Sequence, residues 1–89
     1  MVNHSIAHQL LDDRDDEAGQ WIIVYDFIEN KPNPNFWANL KRVSETHGGS
    51  LIQYSVYKTG SLREAKAVKG LVKHYGGEAI VFRCVESNI

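Results

Sequence analysis

The chain has 89 residues, 43% of them hydrophobic and 24% charged, a composition that excludes global disorder and leaves room for one small domain. Its longest apolar run, Trp21–Tyr25, is far too short to span a bilayer, and no basic-flanked secretory signal precedes it. The single cysteine, Cys84, excludes an internal disulfide and a CxxC metal knuckle, so a reducing, cytoplasmic setting with no membrane partner is expected.

The net charge of −1 divides unevenly along the chain. Residues 1–20 hold five acids against Arg14 alone, whereas residues 21–89 hold nine Lys or Arg against six acids. Residues 1–19 therefore read as an acidic leader, with Ser5–Leu11 as a short helix followed by the turn-like run Asp12–Gly19. Residues 20–89 read as the folded domain, mildly basic and compatible with a polyanionic partner.

Trp21–Ile28 is rich in β-branched and aromatic residues and is predicted to be the central strand. Trp21, Ile23, Tyr25 and Phe27 form one face; Ile22, Val24, Asp26 and Ile28 form the other. A strand apolar on both faces is expected to be covered on both. After the loop Glu29–Asn33, Pro34 takes the first helical position behind the N-cap Asn33. That helix runs to about His47 with Phe36, Leu40, Val43 and His47 on one stripe and Trp37 beside it, and Gly48–Gly49 ends it.

Ser50–Lys58 reads as a second strand, with a turn at Thr59–Gly60. Ser61-Leu-Arg-Glu64 is a capping box opening a helix through Tyr75, whose inner stripe is Leu62, Ala65, Val68, Val72 and Tyr75. Gly76–Gly77 closes it, and Glu78–Glu86 is a third strand. The resulting order is βαβαβ. Two helices cover one face of the sheet, the other face is left bare, and an isologous homodimer is expected to cover it.

Asp26 is the one charge on an otherwise apolar strand face. It calls for a basic partner, backbone amides, a metal ion, or exposure at the strand end. At a two-fold axis, two copies of Asp26 would approach each other and one divalent cation would bridge them. Arg63, Lys66, Lys69 and Lys73 lie on the face of the second helix opposite its apolar stripe, a row that can track a phosphate backbone; a solvated outer face is the alternative. His4 and His8 are one turn apart but have no HExxH context, and His74 near a helix end can meet the helix dipole. Neither Gly-Gly pair forms a phosphate loop, and Ser55 and Cys84 have no His–Asp constellation. Tyr54 and Tyr57 can stack on bases, or pack as half-buried strand aromatics.

A hydrophobic strand ending in Tyr25-Asp26, a helix, the segment Gln53-Tyr54-Ser55-Val56-Tyr57, a second helix and a closing strand together resemble the CRISPR-associated protein two family over about residues 21–86. The resemblance implies a ferredoxin-like α/β sandwich, with an antiparallel sheet covered by two helices on one face and dimerising through the other. It also implies a role in antiviral defence, as a nucleic-acid-binding homodimer held between CRISPR integrase subunits during spacer acquisition. Some members resemble metal-dependent nucleases acting on RNA or duplex DNA, which makes Asp26 the expected catalytic residue and the ligand of Mg2+ or Mn2+. A non-catalytic regulatory dimer and a VapD-like toxin ribonuclease are the alternatives on the same fold. After the Tyr-Asp pair, Phe27-Ile28-Glu29-Asn30-Lys31-Pro32 replaces the family's basic cluster.

Overall fold

A computed structural model describes residues 18–27 and 32–84. Residues 1–17 of the leader, with the expected Ser5–Leu11 helix and with His4 and His8, the expected strand residue Ile28, and the end of the last strand beyond Cys84 lie outside the described residues, as does the side chain of His47. Ala18 and Gly19, expected to end a turn-like leader, instead begin the first strand.

The elements are β1 (Ala18–Phe27), α1 (Pro34–His47), β2 (Ser50–Gln53), β3 (Val56–Ser61), α2 (Leu62–His74) and β4 (Gly77–Arg83). They form one antiparallel four-stranded sheet in the order β2-β3-β1-β4, with β1 paired to β3 on one side and β4 on the other. The order is thus βαββαβ, not the expected βαβαβ. Ser50–Lys58 is a hairpin: β2 turns at Tyr54–Ser55 and returns as β3, so Thr59–Gly60 is strand and not turn. The turn residues carry no Gly, Asn or Pro, the usual signals of a tight reversal. It is held instead from across the sheet, where the Tyr25 amide donates to Ser55 O at 3.0 Å and the Tyr25 hydroxyl to Tyr54 O at 2.6 Å.

Local chemistry accounts for the helix ends. The Asn33 side chain accepts from Asn35 N at 2.8 Å, Pro34 opens α1, and Gly48 closes it in the left-handed region at φ 80°. At α2, the Ser61 hydroxyl accepts from Glu64 N at 3.3 Å, the first half of the capping box. Ser61 N donates to Thr59 Oγ1, and the Glu64 carboxylate turns into the core.

Both helices pack on one face of the sheet. Trp21, Ile23, Tyr25 and Phe27 of β1 meet Phe36, Leu40 and Val43 of α1 and Ala65, Val68, Leu71 and Val72 of α2 in one core. Among the described residues nothing covers the other face of β1: Ile22 is half-buried, while Val24 and Asp26 are exposed. Among the described residues, no helix is long and apolar enough to cross a membrane.

Candidate functional site

The open face of the sheet is laid out by strand register. Ile22 stands between Phe82 and Lys58, Val24 between Ile80 and Val56, and Asp26 opposite Glu78. Val24, Ile80 and Phe82 are 41%, 60% and 51% exposed, so three large apolar side chains on adjacent strands face water together. Lys58 lies at one end of this patch and the Asp26–Glu78 pair at the other.

Asp26 is the last residue but one of β1, and its Oδ1 accepts from the Phe27 amide at 2.9 Å. Because the Tyr25 amide points toward β3, strand alternation directs the Phe27 amide the same way, beyond the end of β3. The carboxylate therefore folds toward the Tyr54–Ser55 turn. Asp26 and Glu78 are directly opposite, a like-charge arrangement that costs stability unless a cation compensates. Cross-strand Cβ atoms are about 5 Å apart, and a hydrated Mg2+ or Mn2+ needs only one or two carboxylates. The Asp26 carboxylate, however, is turned onto the Phe27 amide on the β3 side, away from Glu78 on β4, so the two do not converge on one ion. No group of three or more His, Cys, Asp or Glu gathers among the described residues.

The basic row occupies the opposite layer. Lys66 and Lys73 are exposed and Arg63 and Lys69 half-buried on the side of α2 that faces away from the core. Lys66 to Lys73 spans about 10 Å of helix. Asp26 is on the far face of the sheet, so carboxylate and lysines do not share one cleft.

A cavity of about 470 Å³ opens at the end of β1, beside Asp26. Its walls include the rings of Tyr25, Phe27, Trp37 and Tyr54, with Pro34 at the start of α1. Trp37 and Tyr54 stand nearly perpendicular, 6.1 Å apart at an interplanar angle of 73°. Phe36 ties this group to the core, 5.1 Å from Trp37 and 4.9 Å from Phe27. Neither the family model scan nor the searches of curated proteins and solved structures give a match for this chain.

The two tyrosines of the Gln53–Tyr57 segment separate in role. Tyr57 is fully buried, whereas Tyr54 is 81% exposed and available to a ligand rather than packed as a half-buried strand aromatic. The sequence signal for the cavity was weak: Trp37 sits beside the α1 stripe, and nothing local showed that a hairpin turn would bring Tyr54 against it. Cys84 is half-buried and Ser55 belongs to the turn. His74 is in the last turn of α2, its ring 4.8 Å from that of Tyr75.

Proposed function

We propose that this chain is a ferredoxin-like domain that works as a homodimer, paired through the open face of its sheet, and that the dimer binds nucleic acid along α2. The observation that carries the reading is the joint exposure of Val24, Ile80 and Phe82 on one face. Apolar area of this kind on a small domain is characteristic of an interface. The order β2-β3-β1-β4 supports the ferredoxin-like assignment, since each helix links two strands that have a third between them.

Charge supports a second copy as the partner. Lys58 and Glu78 lie on opposite sides of Val24, so a two-fold axis lying in the interface over Val24, at right angles to the line between them, sets each Lys58 against the other copy's Glu78. Light scattering is expected to give a dimer at micromolar concentration, and Phe82→Glu to give a monomer. Lys58→Glu and Glu78→Lys should each weaken the dimer, and the double variant should restore it. A wild-type chain that scatters as a 10.1 kDa monomer throughout would remove the reading.

The outward row Lys66, Lys69 and Lys73 supports the nucleic-acid part. Neutralising Lys66 and Lys73 should weaken binding to RNA or duplex DNA and reduce the salt slope by roughly two. The resemblance to CRISPR-associated protein two adds an integrase partner and endonucleolysis with Mg2+ or Mn2+ at Asp26. Cleavage lost in Asp26→Ala with binding retained would support that addition. Binding without cleavage in either protein would favour the non-catalytic regulatory dimer, and cleavage of RNA alone, the VapD-like alternative.

A further inference from the structure

We propose that the cavity at the end of β1 binds a small organic cation, a methylated ammonium group held between the rings of Trp37 and Tyr54 with the Asp26 carboxylate beside it. The volume, about 470 Å³, lies within the range of pockets that enclose small ligands. Aromatic rings present the negative face of their quadrupole to a cation, and two rings near a right angle form two walls of a cage. Trp37 and Tyr54 stand at 73° with centroids 6.1 Å apart, and Tyr54 is 81% exposed, so its ring is open to a ligand.

Among the described residues, the charge of the lining points to a cation. Asp26 is the only carboxylate among the described residues around the cavity, and no Lys or Arg is among them. Its carboxylate folds onto the Phe27 amide, on the side of β1 where the Tyr54–Ser55 turn lies. That placement opposes a phosphate and favours a cation. A cavity lined by two nearly perpendicular rings suits a quaternary ammonium, which cannot use hydrogen-bond acceptors and which water solvates weakly.

The turn that carries Tyr54 is fastened to β1. Tyr25 fastens the turn by two hydrogen bonds, from its amide to Ser55 O and from its hydroxyl to Tyr54 O. Both bonds use the backbone of the turn, so replacing the Tyr54 side chain leaves them in place.

Choline and its uncharged carbon isostere 3,3-dimethylbutan-1-ol separate charge from shape. Titrated against 15N-labelled protein, choline is expected to shift the Trp37 indole cross-peak saturably, and the isostere to bind roughly tenfold more weakly. Tyr54→Leu keeps the apolar volume and removes the ring; it should weaken choline roughly tenfold and leave the isostere unchanged. Asp26→Asn should weaken choline about threefold. A short peptide carrying trimethyl-lysine distinguishes the source: tighter binding than choline assigns the site to a modified protein side chain, and equal or weaker binding assigns it to a free small molecule. Equal affinity for choline and the isostere, unchanged choline binding in Tyr54→Leu, or no saturable shift with either cation would overturn the proposal. So would uridine or adenosine displacing choline with higher affinity, since the cage would then be a base-stacking site.

Discussion

The Tyr57 hydroxyl donates to Glu64 Oε2 at 2.5 Å, and both side chains are fully buried between β3 and α2. The second carboxylate oxygen, Oε1, is buried without a hydrogen-bond partner. A buried acceptor that loses its donor bears the full desolvation cost, about 1–3 kcal/mol. Tyr57→Phe should therefore lower the unfolding free energy by about that amount in urea denaturation, with the slope unchanged. In a Glu64→Leu background the same substitution should cost much less, because the buried carboxylate is no longer there to be orphaned. Equal costs in both backgrounds would show that the hydroxyl acts through some other group.

The same burial makes the fold sensitive to alkali. Burial pushes Tyr25 up to about 12 from its ordinary value of 10. Tyr57 is pushed up further, by burial first and then by the hydrogen bond and charge of Glu64. The native state thus holds these phenolic protons more tightly than the unfolded chain does. The stabilisation is complete below pH 10 and is lost as pH rises from 10 toward 12 and beyond. Urea midpoints should fall across that window, and Tyr25→Phe should flatten part of the decline while lowering stability at neutral pH through the lost Tyr54 carbonyl bond. A midpoint independent of pH from 10 to 12 would contradict the assignment.

Gly48 and Gly49 should respond differently to alanine. At Gly48, φ is +80° and a Cβ would meet no atom within 4 Å, so alanine bears only the left-handed backbone penalty, about 1–2 kcal/mol. At Gly49 a Cβ would stand 1.9 Å from Glu64 Oε2 and 2.7 Å from Tyr57 Cε1. Overpacking of this kind costs about 1–3 kcal/mol, and it displaces the Tyr57–Glu64 pair as well. Gly49→Ala should lower the thermal midpoint more than Gly48→Ala, and should do so less in the Glu64→Leu background. A larger loss at Gly48 would assign both glycines to helix termination alone.

The Gly-Gly pairs show where sequence reading reaches its limit. Helix termination is a local property, and Gly48 and Gly76, both at positive φ, perform it as expected. Their neighbours answer to distant atoms: Gly49 to Glu64 and Tyr57, and Gly77 to Asp26 O, Val72 and Phe27. The capping box divides in the same way. Ser61 caps α2 locally, but Glu64 leaves the helix end for a phenol on another strand.

By itself the sequence determined the elements whose signals are local: a strand over Trp21–Ile28, seen as β1 through Phe27, the Asn33–Pro34 start of α1, the Ser61 start of α2, and Asp26 as the lone charge on the outer face of β1. Periodicity and capping act over a few residues, so they are written along the chain. Tertiary structure alone decided that Ser50–Lys58 is a hairpin, because the groups that hold its turn belong to Tyr25, about 30 residues earlier. That turn sets Tyr54 against Trp37 and shapes the cavity beside Asp26. It also decided that Lys58 and the Asp26–Glu78 pair mark opposite ends of the open face, since register between strands depends on which strands become neighbours.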